Sequence, residues 1–341
     1  MTRLLQAMAG ARYGGAEAFF SRLALGLARS GQEQKLVIRD HAERAAHLRG
    51  EGIAVTELPF RGRFDLRTGL VLRRLVRDWQ PQVVLTWMSR ATIAMPRGRF
   101  VRVARLGGYY DLKYYRRCHH LIGNTRDIVA YMIGQGWPAE RAHYLPNFVD
   151  DRRVPAVPRS SLGTPEGALL VLALGRLHRV KGFDVLLQAV ARTPGAHLWL
   201  AGDGPERAAL QRLIHSLGIA ERVRLLEWRE DVPALMASAD LLVCPSRHEP
   251  LGNVVLEAWA QRVPVIASAA EGPRALIQPG RTGLLVPVED ADALAAAIGL
   301  LKADSGRRAE LADAGYAAFA AEFVEARVTA AYRDLIGRVA A

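Results

Sequence analysis

The chain has little cysteine and no long apolar run. Its 341 residues include two cysteines, Cys118 and Cys244. Two are too few for a disulfide framework, so we expect free buried thiols and a reducing, cytoplasmic compartment. No stretch approaches the roughly 20 apolar residues of a membrane-spanning helix, and the N-terminal residues are too interrupted for a secretory signal peptide. These absences predict a protein that is soluble or at most bound to a membrane surface.

Positive charge is concentrated in the first half of the sequence. Residues 1–160 carry 27 Lys and Arg against 13 Asp and Glu, whereas residues 161–341 carry 19 against 21. A basic half implies an anionic partner: nucleic acid, acidic lipid or a phosphorylated acceptor. An Arg-rich composition would explain part of this excess, but it does not explain why the second half is slightly acidic.

Short apolar runs alternate with helical patterns along most of the chain. Runs such as Leu169–Leu174 are typical of strands buried on both faces. The alternation predicts an α/β fold with parallel sheets that bind ligands at the carboxyl ends of their strands. A charged, proline-bearing stretch indicates a linker. The predicted division is a first domain at 1–150, a linker at 151–167, a second domain at 168–320, and a final helix at 321–341 that is long enough to cross back to the first domain.

The most informative stretch is Ser246–Glu257, which holds two carboxylates eight residues apart. Glu249 precedes a Pro-Leu-Gly turn, and Glu257 lies inside a helix predicted over Asn253–Gln261. A helix start offers unpaired N–H groups that hold anions, and carboxylates accept hydrogen bonds from sugar hydroxyls. A nucleotide sugar is therefore the first ligand to consider. The spacing alone still favours two acidic residues without a binding function, so the interpretation depends on the other motifs of the sequence.

Two glycine-containing loops follow predicted strands of the second domain. The first holds Gly175, Arg176 and Lys181, and two cations five residues apart can clamp a diphosphate. Its position at a strand's carboxyl end weakens the alternative of a merely solvated basic loop. The second loop holds Gly202 and Asp203, where a turn or cap is as good an explanation as a ligand contact.

Together these motifs resemble the retaining glycosyltransferases of family 4, which have the GT-B fold of two Rossmann-like doubly wound domains facing across a cleft. The resemblance covers most of the chain and is strongest from Leu169 to Pro287. It also includes an N-terminal glycine loop at Gly14 and Gly15, the segment Pro146–Asp150 before the linker, and the late motif Thr282–Pro287. Several motifs in the right order are more specific than any one of them.

The resemblance implies a role for each matching residue. Glu249 would bind hydroxyls of the donor sugar and Glu257 those of the ribose. Arg176 and Lys181 would neutralise charge on the departing nucleoside diphosphate, and such electrostatic stabilisation is often the largest catalytic term. The other donor-binding residues that it implies are Gly14, Gly15, Gly175, Gly202, Arg229, Leu251, Gly252 and Asn253. The family needs no metal, so no metal or cofactor is expected, and Asp290 at the start of a predicted helix is better explained as a cap.

One position departs from the family pattern. Many members have a histidine after the strand that matches Val101–Leu106, where this sequence has Gly107. Activity need not be lost, because the family retains configuration without a protein nucleophile: the acceptor hydroxyl attacks on the leaving group's side. The residues expected on the acceptor side are Trp87, Ser89, Tyr109 and Lys113.

Basic residues are interleaved with apolar ones in two stretches of the first half. The first, around a helix predicted over Leu66–Asp78, contains Arg61, Arg63, Arg67, Arg73, Arg74 and Arg77 with Phe60, Phe64, Leu66, Leu70 and Leu72. The second contains Lys113, Arg116 and Arg117 with Tyr109, Tyr110, Tyr114 and Tyr115. Both suit an anionic membrane surface or a phosphorylated glycolipid. A solvated helix face explains the first stretch equally well, and no nucleic-acid-binding module is recognisable.

The sequence therefore predicts a metal-independent, hexosyltransferase-like retaining glycosyltransferase. It would move a sugar from a nucleotide-diphosphate sugar to an anionic envelope glycolipid, a lipopolysaccharide core intermediate, at the inner face of the cytoplasmic membrane. The alternatives are a sugar-nucleotide epimerase of the same fold and a catalytically inactive GT-B scaffold. The complete set of Glu249, Glu257, Arg176 and Lys181 argues against a scaffold, whereas Gly107 argues mildly for one.

Overall fold

The computed structural model describes residues 2–12, 14–62 and 65–340. It divides the chain into two compact units, one formed by residues 1–148 together with 325–341 and the other by residues 149–324. Each unit is built around one parallel β-sheet with helices packed on it, as the strand–helix alternation predicts. The segment 151–167 lies within the second unit, where Arg159 bonds to the Ser238 carbonyl and to Asp240.

The first unit contains a seven-stranded sheet in the described part of the chain. Its strands are β1 (Leu4–Met8), β2 (Gln34–Arg39), β3 (Ala54–Leu58), β4 (Val83–Trp87), β5 (Val101–Leu106), β6 (His120–Gly123) and β7 (Ala142–Tyr144). Its helices up to residue 148 are α1 (Gly15–Arg29), α2 (Ala42–Gly50), α3 (Leu66–Trp79), α4 (Met88–Ala94) and α5 (Arg126–Gly134). The strand order is β3-β2-β1-β4-β5-β6-β7 with every pair parallel, so all carboxyl ends share one edge.

The second unit has a six-stranded parallel sheet in order β10-β9-β8-β11-β12-β13. The strands are β8 (Leu169–Leu174), β9 (Ala196–Ala201), β10 (Val223–Leu226), β11 (Leu241–Cys244), β12 (Val265–Ser268) and β13 (Leu284–Val286). The helices are α6 (Phe183–Ala191), α7 (Arg207–Ser216), α8 (Val232–Ser238), α9 (Asn253–Ala260), α10 (Glu271–Leu276), α11 (Ala291–Ala303) and α12 (Ser305–Glu322). The order reverses between β8 and β11, and doubly wound sheets bind ligands at such a switch point.

Continuous apolar runs place the central strands of the second unit in the core. All six residues of β8 are buried, because helices cover both faces of the sheet and leave no solvated side. In β8 and β11, polar side chains begin only after the strand ends. Asp290 accepts a hydrogen bond of 2.8 Å from the N–H of Ala293 and so caps α11, as expected.

The last helix, α13 (Glu325–Ala340), packs in the first unit although it follows the second unit in sequence. Tyr332 is fully buried, and its hydroxyl accepts a hydrogen bond of 3.1 Å from Nε of Arg105. The Arg105 guanidinium also lies 4.8 Å from the ring centroids of both Phe19 and Trp87. Aromatic faces attract a cation, so this group ties α1, β4, β5 and α13 together.

Three helical features differ from the predicted pattern. α4 follows β4 directly, and its first residue, Met88, has φ 69°. The sequence has no glycine at this position that would have indicated such a turn. α10 contains a Gly-Pro pair that argues against a helix, but proline is tolerated in a first helical turn. The final helix predicted at 321–341 differs from the structure in its start: α12 extends to Glu322, and α13 begins at Glu325 after Phe323 and Val324, where the chain passes between units.

Neither cysteine forms a disulfide. Cys118 and Cys244 are both buried with free thiols, as predicted, and burial raises the pKa of these thiols to about 12 and about 11 respectively. Within the described ranges, no helix is both long and apolar enough to cross a bilayer.

Replacing Tyr332 tests how α13 is held. Tyr332→Ala should reduce the free energy of unfolding by about 3–5 kcal/mol, because it leaves a cavity against Phe19 and removes the partner of Arg105. Tyr332→Phe keeps the ring and should cost about 1 kcal/mol, the usual net value of one hydrogen bond. Urea unfolding measures both, with the exposed neighbour Arg333→Ala as the control. Equal losses for the two Tyr332 variants would contradict the packing role of the ring.

Candidate active site

Three loops of the second unit meet at the carboxyl edge of its sheet. They follow β8, β9 and β11. The N–H of Leu177 in the first loop donates to the carbonyl of Asp203 in the second at 2.9 Å, and the N–H of Arg247 in the third donates to the carbonyl of Val180 at 2.8 Å. The loop after β8 is therefore bonded through its backbone to the loop on either side.

The closest approach between the loops after β8 and β11 occurs at Gly182. A Cβ atom at this position would lie 2.1 Å from the carbonyl oxygen of Pro245, and φ is 65°. Any residue with a side chain would force the two backbones apart, and it would also be strained at this φ. Glycine here lets the loop that ends in Lys181 lie directly against the loop that leads to Glu249.

Lys181 and Glu249 form an ion pair at the switch point between β8 and β11. Lys181 Nζ lies 2.5 Å from Glu249 Oε2, and the two side chains are 23% and 13% exposed. Ser246 Oγ donates to the same carboxylate oxygen at 3.2 Å. Burial by itself lowers the pKa of Lys181, but attraction to Glu249, with a smaller contribution from Glu257, leaves the pKa raised. The ammonium is therefore held charged among carboxylates in a partly dry crevice.

Helix α9 begins directly beside this pair. Its N-cap, Gly252, has φ 82°, and among the residues that the structure describes no side chain caps this end of the helix. Leu251 and Gly252 are buried, and Asn253 is the first helical residue. An uncapped helix start presents N–H groups and a positive dipole end. Glu257 lies in the second turn of α9 and is partly buried; the structure thus brings both glutamates and Lys181 to one place.

Arg247 is a residue of this site that the sequence reasoning missed. Its guanidinium donates to both carboxylate oxygens of Asp184 at 2.8 Å, to the Arg179 carbonyl at 2.7 Å and to Glu289 at 2.6 Å. These bonds raise the pKa of Arg247. Bidentate Arg–carboxylate pairs fix geometry as well as charge. Arg247 therefore positions the loop after β8 relative to Glu249 without touching that residue.

Helix α10 supports the same loop from the other side. The N–H of Gly272 donates to the Glu249 carbonyl at 2.7 Å, and Glu271 pairs with His248 at 3.0 Å. The carboxyl end of β12 thereby joins those of β8, β9 and β11 around the site. Because α10 was not predicted, this support could not be found from the sequence.

Two family models cover nearly the whole chain. The model for glycosyl transferases group 1 matches residues 158–318, and the model for glycosyltransferase family 4 matches residues 13–153. The lipopolysaccharide core biosynthesis glycosyltransferase LpsE of Rhizobium meliloti (strain 1021) is 38% identical over 95% of this chain and 96% of its own. The chain belongs to this glycosyltransferase family.

Other similar proteins agree in sequence and in fold. LpsD of the same organism, also named a lipopolysaccharide core biosynthesis glycosyltransferase, is 37% identical over 95% of each chain. The structure of Anabaena HepE with UDP-glucose matches 99% of this chain and all of that one with a TM-score of 0.88 at 22% identity. WaaG, a glycosyltransferase involved in lipopolysaccharide biosynthesis, matches 98% of this chain and 99% of its own with a TM-score of 0.74 at 19% identity. The fold is GT-B and the chain is a glycosyltransferase, as predicted; the epimerase and scaffold alternatives are not favoured.

Three more of the predicted donor-side residues, Arg176, Gly202 and Arg229, lie in the segments that follow β8, β9 and β10. Arg176 is exposed and directly precedes Leu177, and Gly202 is buried directly after the end of β9. Arg229, after β10, makes a bidentate ion pair with Asp231 at 2.7 and 2.5 Å. None of these contacts bears on ligand binding directly, so their donor roles stay predictions.

The family's N-terminal glycine loop surrounds a buried carboxylate that the sequence reasoning missed. Glu17 is 4% exposed and accepts a hydrogen bond of 2.7 Å from the N–H of Ala11. A Cβ atom at Gly14 would lie 2.4 Å from Glu17 Oε2, and one at Gly10 would lie 2.2 Å from Oε1. Because Gly10 and Gly14 have no side chains, the Glu17 carboxylate fits against the loop and accepts a hydrogen bond from its backbone. Gly15 starts α1.

The acceptor-side residues predicted from the sequence lie in different environments. Trp87 is 1% exposed, and its indole N–H donates to Gln6 at 3.0 Å. Its ring lies in the core of the first unit, where it is not accessible to an acceptor. Ser89 is partly exposed in α4. Tyr109 bonds to Asp127, and Lys113 pairs with Asp111 at 2.6 Å.

The space beside Gly107 is shared with Arg105. A Cβ atom at Gly107 would lie 3.5 Å from Arg105 Nη1, so a buried guanidinium lies next to the position at which this sequence departs from the expected histidine. In the part of the chain that the structure describes, no group of three or more His, Cys, Asp or Glu side chains is placed to hold a metal ion.

Replacing Gly182 tests whether loop contact builds the site. Gly182→Ala should destabilise the protein by more than the ~1–3 kcal/mol of left-handed strain alone, because the new methyl group meets the Pro245 carbonyl. Gly218→Ala is the matched control, since Gly218 has φ 66° and open space around its Cβ position. Thermal and urea unfolding compare the two variants. Equal destabilisation would show that the contact with Pro245 adds nothing.

Proposed function

We propose that this glycosyltransferase retains configuration and transfers a sugar from a nucleoside-diphosphate sugar to a lipopolysaccharide core intermediate. The observation that carries the proposal is the Lys181–Glu249 ion pair, which sits at the switch point of the second sheet beside the uncapped start of α9. A cation, a carboxylate and the N–H groups of a helix start are the three chemical elements that recognise a sugar joined to a phosphate.

The donor would bind with its diphosphate between the loop after β8 and the start of α9. Lys181 and Arg176 would neutralise the phosphates, and the N–H groups of the α9 start would contact the β-phosphate and the sugar. Glu249 would accept hydrogen bonds from the sugar hydroxyls. Because Lys181 already touches Glu249, a bound donor would place its phosphate next to an ammonium that a carboxylate has oriented. Glu257, in the second turn, would accept the ribose hydroxyls.

Transfer would break the bond between the anomeric carbon and the phosphate oxygen. The acceptor hydroxyl would attack the same carbon from the leaving group's face, and its proton would pass to the departing phosphate oxygen. Charge develops on the leaving diphosphate, so the preorganised cations Lys181 and Arg176 would lower the barrier. No protein nucleophile is needed in this step, and no metal is expected.

Two observations support a lipopolysaccharide core acceptor. LpsE and LpsD, each named for lipopolysaccharide core biosynthesis, match this chain nearly end to end. The excess positive charge lies in the first half of the chain, where a carrier of negative charge would be attracted.

The exposed face of α3 suits the surface of an anionic membrane. Leu66 and Leu70 are 77% and 63% exposed, and Arg67, Arg73 and Arg77 are exposed on the same helix. Apolar side chains flanked by arginines bind at the interface of anionic bilayers. We therefore propose a location at the cytoplasmic face of the membrane. Arg63 and Phe64, counted in this stretch from the sequence, lie outside the described residues.

Substitutions at the ion pair test the donor site. Glu249→Gln, Lys181→Ala and Arg176→Ala should each lower kcat/KM for transfer by about 10²- to 10³-fold, the usual effect of removing one preorganised charge or donor. Transfer from a panel of nucleoside-diphosphate sugars to truncated lipopolysaccharide core measures this effect, and NMR of the product's anomeric signal tests retention. Arg179→Ala removes another cation from the same loop and should change little. Intact transfer by the Glu249 and Arg176 variants would disprove the site.

Vesicle sedimentation tests the membrane proposal. The variant Leu70→Gln with Arg73→Gln should bind anionic vesicles more weakly, by about fivefold for the lost charge alone and further for the lost apolar contact. Arg212→Gln, an exposed arginine on α7, is the control for net charge. Wild-type binding that is equal for neutral and anionic vesicles, or that does not fall with salt, would rule the proposal out.

A further inference from the structure

We propose that a cavity in the first unit, at the carboxyl ends of β1, β2 and β3, binds an oxyanion, either phosphate or carboxylate, carried by the acceptor saccharide. That the oxyanion belongs to the acceptor rests on the proposed function. Binding of the oxyanion itself does not, because it follows from the side chains that line the cavity.

The β1–β3 cavity has a volume of about 590 Å³ and continues into a second hollow of about 450 Å³. Volumes of this size suit small-molecule ligands. Residues after β1 (Gly10–Arg12), after β2 (Asp40–Glu43) and after β3 (Pro59, Arg61) line the first part. Asp65, Leu66 and Arg67, at the start of α3, line the continuation. The three strands are neighbours in the sheet, so their following loops converge here.

Three arginines offer unused charge to this cavity. Arg39, Arg61 and Arg67 are all exposed, and among the described residues no carboxylate lies within ion-pair distance of any of them. Two of the nearby acids are already engaged: Glu43 lies 3.6 Å from Arg12, and Asp65 accepts hydrogen bonds at the start of α3. Guanidinium groups that line one cavity without an ion-pair partner suit an external oxyanion, which they can bind through two parallel hydrogen bonds.

The walls of the cavity are fixed by hydrogen bonds and by strained backbone. His41 Nε2 and Arg44 Nη2 both donate to the Arg12 carbonyl, at 3.0 and 2.7 Å, which joins the loops after β1 and β2. Phe60 is buried and has φ 46°, an uncommon conformation for a bulky residue that persists only where the surroundings enforce it. It turns the chain between Pro59 and Arg61, both of which line the cavity.

The other groups that line the cavity indicate that the ligand is a saccharide rather than a simple ion. The side chain of Asp40 lines both parts of the cavity and makes no ion pair within the described residues. A carboxylate beside arginines would repel an oxyanion in direct contact, but it can accept hydrogen bonds from neighbouring hydroxyls. The start of α2 also faces the cavity and adds a positive dipole end. The ligand class is therefore a saccharide that bears a phosphate or carboxylate group.

Arginine labelling tests oxyanion binding without requiring catalysis. Phenylglyoxal modification of the full chain, read by peptide mass spectrometry, is compared in inorganic phosphate, in glucuronate and in chloride of equal ionic strength. Labelling of Arg39 and Arg61 should slow about tenfold when the anion is present at ten times its Kd, whereas Arg212 should react unchanged. Protection by phosphate or by glucuronate identifies the source of the oxyanion. Protection by neither overturns the proposal.

Transfer kinetics test whether the oxyanion belongs to the acceptor. Arg39→Gln combined with Arg61→Gln should raise KM for an acceptor core oligosaccharide about tenfold, as expected for lost charged hydrogen bonds, and should leave KM for the donor unchanged. The effect should disappear with an acceptor whose phosphates have been removed by a phosphatase, or whose carboxylates have been reduced. Arg212→Gln is the control. Protected arginines together with an unchanged acceptor KM would overturn the assignment to the acceptor.

Discussion

The candidate active site depends on the direct contact between two backbones, those of Gly182 and Pro245. Lys181 precedes the first and Glu249 follows the second, so the distance between the ammonium and the carboxylate is set by how closely the two loops approach. Arg247 then fixes their relative position through Asp184 and the Arg179 carbonyl. An ion pair between residues 68 apart in sequence is thus held by main-chain contact first and by side-chain bonds second.

The sequence was enough to predict the strands and the position of the polar loops at their carboxyl ends, because both follow from local rules; the donor roles of residues in those loops stay predictions. Six consecutive apolar residues in β8 predict a strand, and polar residues after β8 and β11 must lie at the same edge of a parallel sheet. What could not be predicted depends on packing across long separations. Nothing local links Arg247 to Asp184, and nothing local shows that Trp87 turns inward to meet Gln6 and Arg105. α4 escaped prediction because it starts at a left-handed Met88 without a capping residue.

The two units differ in how their charged side chains are paired. In the second unit, Lys181 and Arg247 near the switch point are paired with carboxylates, so Lys181 is oriented before a ligand arrives. In the first unit, Glu17 is buried beneath the glycine loop while Arg39, Arg61 and Arg67 remain exposed around the β1–β3 cavity. The difference in composition between the halves therefore corresponds to a difference in ion pairing, with exposed and unpaired arginines around the β1–β3 cavity among the described residues.

The return of α13 to the first unit has a consequence for how the chain folds during synthesis. Residues 149–324 are contiguous and can close their core as soon as they emerge from the ribosome. The first unit, although translated earlier, still lacks the helix whose Tyr332 covers Phe19 and Arg105. Because domains generally fold as units when their residues are available, the second unit should reach its final packing before the first.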